Sequence, residues 1–339
     1  MKELITIDGS EGEGGGQILR TALSLSLLLR HPVVITNIRA KRRKPGLLRQ
    51  HLTCVHAAAR VGAAHVEGAD LGSTELSFTP TGLHGGHLRF DIGTAGSTSL
   101  VLQTILLPLL YADRPSIVTV TGGTHNEMAP PFEALSHSFC DILRRMGADV
   151  AIDLERHGFF PAGGGIVHAH ITPSQLKPIE LRTRGEVKSR EVVSVISRLD
   201  HRIAEREITE ALRLLNWTSP MGSTRVAETP GPGNVLLSTL RYENLSEVFI
   251  AHGRPGISAE QVALNLVRDM RPYIASSVPV WEHLADQLLL PFALAGAGTF
   301  CTRTLSLHSR TNLQVIGKFL DLKIHIEELP DRLVLLTFG

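Results

Sequence analysis

The apolar positions of the chain form a pattern that occurs more than once. Segments 8–37 and 91–120 align without gaps, and each has an aspartate, a loop of small residues, an apolar helix-like run, a proline and a β-branched strand. An amphipathic helix-like run and another strand follow both segments, over 46–68 and 130–152. A weaker third copy covers 285–304 and 311–329. Helical and strand periods that alternate in this way predict repeated α/β units of about 80 residues.

The repeat is interrupted between residues 181 and 276. This stretch contains a charged helix-like run over 190–216, a proline- and glycine-rich stretch over 229–234, a strand-like segment and a second helix-like run. We therefore predict an α/β fold of α+β sandwiches, in which about three repeated units each pack two helices on a four-stranded sheet. We expect a large domain built from the repeats at 1–180 and 277–339, and a smaller inserted α/β domain at 181–276.

Composition narrows the class of protein. The 339 residues carry a net charge of +1, which argues against a uniformly basic nucleic-acid coat but allows a local basic patch. Cys54, Cys140 and Cys301 form no zinc or disulfide motif, so we expect buried thiols in a reducing compartment. No apolar run approaches the roughly 20 residues of a membrane span, and the first residues lack a signal-peptide plan. We therefore predict no membrane association and a cytoplasmic location.

Each repeat has a polar residue at the same place in its first helix-like run. Arg20 aligns with Gln103, and the third copy has Asp286 there, followed by Gln287. A position that faces a packed core would be apolar in every copy. The polar residues therefore indicate a cleft where the repeats meet. The alternative is that they are exposed helix-start residues that make caps or contact solvent.

A basic segment, RAKRRKPGLLRQH at 39–51, precedes the second helix-like run, and Pro45 suits the first turn of that helix. Clustered guanidinium groups bind phosphates in a bidentate manner. In a chain of near-neutral charge, this segment indicates a site for a polyanion such as a triphosphate or an RNA end. The alternative is a solvated basic loop.

The glycine-rich loop DGSEGEGGGQILR, at 8–20, opens the first helix-like run. It lacks the Gly-Lys-Ser/Thr of a P-loop, and its glycine spacing does not form a dinucleotide fingerprint. Its glycines would let the backbone approach a nucleotide. Glu11 or Glu13 would repel a phosphate directly, but could hold Mg²⁺, which would itself carry the phosphate. The alternative is a favourable interaction of either glutamate with a helix N-terminus.

Two of the sixteen histidines have informative positions. His308, in TLSLHSRTNL, follows a predicted strand and precedes a predicted helix, where its imidazole could act as a nucleophile or base. It ranks first among several candidates. His157 opens the glycine run RHGFFPAGGGIV, which leads into an alternating strand. It is either a ligand or base, or a hydrogen-bonded structural histidine, and the structural role is the commoner one.

Six segments together resemble the RNA 3′-terminal phosphate cyclase family. They are DGSEGEGGGQILRTALSLS, RAKRRKPGLLRQH, GTAGSTSLVLQT, RHGFFPAGGG, LADQLLLP and HSRTN. They follow the family's order over essentially the whole chain, and HGFFPAGGGIV resembles the family's signature segment. The resemblance is weakest across 181–276. It implies repeated α/β units with a small inserted domain, in agreement with the pattern above.

The resemblance also implies a reaction. The family converts an RNA 3′-terminal phosphate to a 2′,3′-cyclic phosphodiester, with ATP and a divalent metal, Mg²⁺ or Mn²⁺. His308 corresponds to the nucleophile that attacks the α-phosphorus of ATP and forms a covalent histidine–AMP, with release of pyrophosphate. AMP then passes to the RNA 3′-phosphate, and the neighbouring 2′-OH closes the ring and expels AMP.

By the same resemblance, individual residues have expected roles. Glu13 would be the metal-linked carboxylate. The phosphate or RNA-end contacts would be Arg20, Arg39, Arg42 and Gln50. The nucleotide contacts would be Gln103, Pro130, His283, Asp286 and Gln287, with Gln103 at the AMP phosphate. His283 stands where a tyrosine of the family can stack on adenine, so we expect weaker stacking here.

Two other functions stay open at this point. The family has non-catalytic members that act in ribosome assembly, and His308 together with Glu13 and the arginines favours an enzyme over that function. An enolpyruvyl-transferase-like enzyme is the second alternative, because such enzymes are also built from repeated α/β units around an anionic cleft. That enzyme would need a small anionic substrate and would form no covalent nucleotide.

Overall fold

The structure of the protein is a computed structural model that describes residues 3–339. In it, the first repeat forms one four-stranded sheet with two helices. The strands lie side by side in the order β1-β2-β4-β3. The elements are β1 (Ile5–Asp8), α1 (Gly16–Leu29), β2 (Val33–Thr36), α2 (Arg49–Gly62), β3 (His65–Glu67) and β4 (Leu76–Thr79). β1 and β2 are parallel, and β4 runs antiparallel to β2 and β3.

The second repeat has the same topology, with its strands in the order β5-β6-β8-β7. A π-helical turn over Leu135–Phe139 joins α4 and α5 into one helical segment. The elements are β5 (Gly86–Asp91), α3 (Thr98–Leu109), β6 (Ser116–Gly122), α4 (Phe132–Ala134), α5 (Cys140–Arg145), β7 (Asp149–Arg156) and β8 (Gly165–Thr172).

After the short strand β9 (Glu180–Leu181), the chain builds a sheet with a different strand order, β11-β10-β12-β13. The elements are β10 (Val187–Ser197), α6 (Arg202–Leu215), β11 (Gly222–Val226), β12 (Gly233–Tyr242), β13 (Ser246–His252) and α7 (Ala259–Ile274). The predicted helix over 190–216 is wrong in its first part, which is β10. β10 lies between β11 and β12, and its second half, 192–197, is buried without strand alternation because apolar clusters cover both faces there.

The third repeat resumes after α7 and pairs with β9, which precedes the insertion. Its elements are α8 (Glu282–Ala295), β14 (Gly298–Arg303), α9 (Leu307–Phe319), β15 (Ile324–Leu329) and β16 (Leu333–Phe338), and the order β15-β16-β14-β9 matches the first two sheets. The inserted residues therefore lie between the first strand and first helix of this repeat. The predicted fold class is confirmed, whereas the domain boundaries at 181 and 276 stay a prediction.

The core positions α1 in the middle of the repeats. α1 contacts α2, α3 and α9, and buried residues of all three repeats form one continuous apolar cluster. The inserted sheet has separate clusters of its own. The three cysteines are buried free thiols, as predicted. Over residues 3–339, no helix has the length and apolar character that crossing a membrane requires.

Candidate active site

Helices α1, α3 and α8 occupy equivalent places in the three repeats, and all three line a cavity of about 70 Å³. Its polar lining includes Gln17, Arg20, Gln103, Asp286, Gln287 and Asn312. The structure thus brings together the polar positions that the repeat alignment singled out. The alternative of separate, exposed helix starts does not describe them. Their role in nucleotide binding stays a prediction.

Arg20 gives the cavity an electrostatic preference. Burial lowers the pKa of its guanidinium, and the nearby Cys54 and Asp286 oppose that shift only in part. Arg20 is partly buried, and a partly desolvated cation without full compensation is costly, so an anion in the cavity would stabilise it. The charge of Arg20 therefore suits the phosphate contact expected from the sequence.

Gln17 links the cavity to His308. Its Nε2 donates to both carboxylate oxygens of Asp286, at 2.6 and 2.7 Å, and its Oε1 lies 3.1 Å from Nδ1 of His308. An amide oxygen only accepts hydrogen bonds, so Nδ1 of the neutral ring must carry the proton in this arrangement. Nε2 of His308 is therefore the nitrogen with the free lone pair.

His308 lies in the first turn of α9. Ser306 begins this helix, because its Oγ accepts a hydrogen bond from the backbone N–H of Ser309 at 3.0 Å. The His308 side chain is 51% exposed, and its Nε2 lies 3.8 Å from Oε1 of Glu13. The strand-to-helix junction predicted for this histidine is confirmed, and its ring is accessible to a substrate.

Burial raises the pKa of Asp286, against the hydrogen bond from Gln17 and the charges of His308 and Arg20. Asn312 adds a contact, because its Nδ2 donates to the backbone carbonyl of Asp286 at 3.1 Å. Nδ2 of Asn312 also lies 3.4 Å from Oδ1 of Asp286, so the carboxyl group is held from both α1 and α9.

The glycine-rich loop makes room for other side chains of this chain. Gly12 has φ +53°, and a Cβ there would overlap Oγ1 of Thr311. That same Oγ1 accepts a hydrogen bond from the backbone N–H of Glu13 at 2.9 Å. A Cβ on Gly15 would overlap the Glu13 carboxylate. The loop thus holds Glu13 against α9 and beside His308.

Glu13 has two unlike carboxylate oxygens. Oε1 forms an ion pair with Arg42 of the basic segment. Oε2 is buried and has no hydrogen-bond partner among residues 3–339. A buried carboxylate oxygen without a partner costs free energy, and a hard divalent cation would satisfy it. The residues present therefore fit the metal that the resemblance implies.

The other predicted phosphate contacts hold parts of the protein together. Nη1 of Arg39 donates to the backbone carbonyls of Lys44 and Gly46, at 2.6 and 2.9 Å. Oε1 of Gln50 accepts from the N–H of Ser97 at 2.6 Å, which joins the first repeat to the second. The helix start predicted at Pro45 is wrong. α2 begins at Arg49, because the chain from 39 to 46 is closed into a loop by the Arg39 bonds.

Some of the predicted nucleotide contacts line the cavity, and others lie outside it. Nε2 of Gln103 donates to Oε1 of Gln287 at 2.8 Å, across the cavity. His283 is exposed in the first turn of α8, and Pro130 is half-buried between β6 and α4. Within the described chain, neither of these two lines the cavity.

Gln17 was not singled out from the sequence, although a signal was present. Gln17, Arg20, Thr21 and Ser24 follow the spacing i, i+3, i+4 and i+7 in an otherwise apolar helix, and all four line the cavity. A polar stripe at helical spacing inside a buried helix marks the face that meets a polar cavity. That stripe would have identified Gln17 together with Arg20.

Comparison with known proteins adds independent information. A family model described as RNA 3′-terminal phosphate cyclase matches residues 11–326. An RNA 3′-terminal phosphate cyclase of Ectopseudomonas mendocina is 47% identical over 334 residues, which cover 98% of this chain and 97% of that protein. Another, of Koribacter versatilis, is 48% identical over 329 residues, which cover 96% and 92%.

Among solved structures, the enolpyruvyl transferase NikO from Streptomyces tendae is 16% identical and covers 50% of this chain and 33% of its own. Its TM-score is 0.29, so this likeness carries no argument about fold or function.

Proposed function

Because the chain belongs to the RNA 3′-terminal phosphate cyclase family, we propose that it converts an RNA 3′-terminal phosphate to a 2′,3′-cyclic phosphodiester at the expense of ATP. The reaction proceeds through a covalent histidine–AMP on His308 and yields AMP and pyrophosphate. The observation that carries this proposal is the orientation of the His308 ring, with Nδ1 bonded to Gln17 and Nε2 accessible.

In the first step, Nε2 of His308 attacks the α-phosphorus of ATP. The bond from that phosphorus to the bridging oxygen of the β-phosphate breaks, and pyrophosphate leaves with the electron pair. The ring becomes positively charged as the N–P bond forms, and its Nδ1–H continues to donate to Gln17. The Asp286 carboxylate holds the Gln17 amide in the orientation that accepts this proton, so the nucleophile is preorganised.

In the second step, an oxygen of the RNA 3′-phosphate attacks the phosphorus of the histidine–AMP, and the N–P bond breaks with return of the electron pair to Nε2 of His308. In the third step, the neighbouring 2′-oxygen attacks the phosphorus of the 3′-phosphate and expels AMP, and the 2′-OH gives its proton to water. Each step concentrates negative charge on phosphate oxygens, which Arg20 at the cavity and Arg42 beside Glu13 would stabilise. RNA is therefore the proposed partner, and its end would lie between the basic segment and His308.

Glu13 would hold the divalent metal, Mg²⁺ or Mn²⁺, through its unpartnered Oε2. When bound, such a cation offsets the charge of the ATP phosphates. Glu13 itself stays fixed by its backbone bond to Thr311 and by Arg42. Arg42 would thus position the carboxylate and also neutralise the charge that Glu13 presents to a phosphate.

The test is covalent labelling with α-labelled ATP and Mg²⁺ or Mn²⁺, followed by denaturation. We expect protein-bound label that is acid-labile and alkali-stable, as a phosphoramidate is, and its complete loss in His308→Ala. His283→Ala is a matched control, because His283 also lies in the first turn of a repeat helix and is exposed. It should still label at saturating ATP. Absence of label with either metal would refute the mechanism and favour a non-catalytic relative.

A further inference from the structure

A second group of ligand-type side chains lies apart from the candidate active site. His125, Glu133 and His157 each offer one nitrogen or oxygen atom, and these atoms all lie within 4.8 Å of one another. His125 and Glu133 belong to the segment between β6 and α5, and His157 lies between β7 and β8. This His–Glu–His cluster shares no residue with the cavity around Arg20 and Asp286.

Two members of the cluster are buried, His157 is half-buried, and the cluster is incompletely bonded. His125 is 2% exposed and Glu133 is 7% exposed. Oε1 of Glu133 and Nε2 of His157 are buried without a hydrogen-bond partner among residues 3–339. The hydrogen-bonded role predicted for His157 is thus not found at this nitrogen. Two orphaned polar atoms in one cluster are costly, which indicates that a ligand completes it.

The two better-fixed members are oriented as metal ligands usually are. Nδ1 of His125 lies 2.8 Å from Oγ1 of Thr124, and that hydroxyl also accepts from the N–H of Gly158 at 3.0 Å. The opposite ring nitrogen, Nε2, points to Oε2 of Glu133 at 2.7 Å. Ligating histidines generally anchor the second nitrogen in this way, which fixes the ring and selects the ligand atom.

We propose that the His–Glu–His cluster is a binding site for a divalent transition metal of the zinc class. Two imidazoles and one carboxylate form a known zinc ligand set, with bonds of about 2.0–2.2 Å. Ligand atoms in such a tetrahedron are about 3.3 Å apart, between the 2.7 Å of the His125–Glu133 bond and the 4.8 Å limit of the cluster. Side-chain rotations that bring the three ligand atoms to this separation would form the site. Imidazole ligands favour zinc-class metals over Mg²⁺.

One neighbour opposes a cation. Nη1 of Arg225, on β11 of the inserted sheet, lies 3.7 Å from Oε1 of Glu133. This distance is too long for a good hydrogen bond, but the guanidinium charge repels a metal held by the Glu133 carboxylate. If the cluster is only a set of ion pairs, the charge of Arg225 stabilises it, and removal of that charge weakens the cluster. If the cluster binds a metal, the same charge opposes the metal, and its removal strengthens metal binding.

A bound metal would connect two loops. His125 and Glu133 flank residues 126–132, which include Pro130, and His157 begins the glycine run that carries the family's signature segment. Coordination by all three would hold these two loops against each other. The site is thus structural in character, and it does not depend on the proposed reaction at His308.

The experiment uses full-length protein with Glu13→Gln and His308→Ala substitutions, so that the active-site carboxylate and imidazole do not bind the probe. After chelation and removal of the chelator, Zn²⁺ is titrated calorimetrically and Co²⁺ by its visible absorption. We expect one equivalent of each per chain, with a tetrahedral Co²⁺ spectrum. Adding His157→Gln should abolish binding, and adding Arg225→Gln should strengthen it severalfold.

The matched control is His137→Gln, because His137 is a half-buried histidine of the neighbouring π-helical turn that lies outside the cluster. It should leave binding unchanged. If His157→Gln fails to fold, X-ray absorption of the zinc-loaded protein replaces it and should show two imidazoles in the coordination shell. Absence of stoichiometric binding would overturn the proposal, as would binding that His157→Gln leaves intact or a shell without two imidazoles.

Discussion

Gln17 offers the sharpest test of how the His308 nucleophile is prepared. Its amide accepts from Nδ1 of His308 at 3.1 Å and donates to Asp286 at 2.6 and 2.7 Å. Gln17→Met keeps the length of the side chain but removes both functions. The Nδ1 proton then loses its acceptor, and the ring is free to rotate or to place its proton on Nε2.

The magnitude follows from the hydrogen bonds that are lost. A neutral hydrogen bond contributes about 0.5–1.5 kcal/mol net, so the rate of adenylylation should fall about twofold to tenfold. The Asp286 carboxylate would lose a partner worth about 1.5–3 kcal/mol if it is ionised. We therefore also expect a lower urea midpoint and a further rise in the pKa of Asp286, which burial already raises.

The assay is single-turnover labelling with α-labelled ATP over a range of ATP concentrations. We expect a slower maximal rate with little change in the ATP concentration that gives half of it, because Gln17 contacts the nucleophile. Nitrogen NMR of the labelled His308 ring should show the proton on Nδ1 in the unmodified protein and a mixture of tautomers in the variant. Gln287→Met is the control, since Gln287 lines the same cavity without contacting His308. In this variant the His308 ring signals should not change.

Gln17→Glu is the conservative comparison. It keeps an oxygen that can accept from Nδ1, but it places a second carboxyl group beside Asp286, so the two must share a proton. We expect it to retain more adenylylation than Gln17→Met at low pH and to lose that advantage as pH rises. A Gln17→Met protein with an unchanged rate and unchanged ring signals would refute the argument that Gln17 sets the tautomer.

Three further predictions concern the pH response, the basic segment and the glycine loop. Burial raises the pKa of Glu247 from 4.5 to about 8, so its contribution to stability is present below pH 4.5 and is lost as pH rises through 8. In the unmodified protein the free energy of unfolding should therefore fall with rising pH by at most about 1.4 kcal/mol per pH unit, and Glu247→Gln should remove this fall, as measured by urea denaturation. A variant whose pH profile is identical to that of the unmodified protein would contradict this. Arg42→Ala should weaken RNA-dependent cyclisation and lower the salt slope of RNA affinity by roughly 0.7, whereas equal effects from the exposed Arg43→Ala would argue against a specific contact. Gly12→Ala should slow adenylylation more than Gly72→Ala does, because both positions have positive φ but only Gly12 has a side chain in the way; equal rates would show that strain alone matters.

The sequence was sufficient for the repeat and for the position of the shared polar residue. Alignment of the copies predicted units of two helices on a sheet, and it placed Arg20, Gln103 and Asp286 at one point of the three first helices. Helical and strand periods are local properties of the chain, so they can be read without the structure. The same local reasoning failed at β10, because the second half of this strand is buried without alternation and a charged helix follows it.

Tertiary structure decided which of these groups touch and in which chemical state. The Gln17 bonds to Asp286 and His308 join residues that are 269 and 291 positions apart, and they exist because α9 packs on α1 and brings α8 beside it. The free nitrogen of His308, the unpartnered oxygen of Glu13 and the His–Glu–His cluster all depend on such contacts. Sequence determines the residue types and their local elements, whereas hydrogen-bond direction and burial arise only when distant segments pack together.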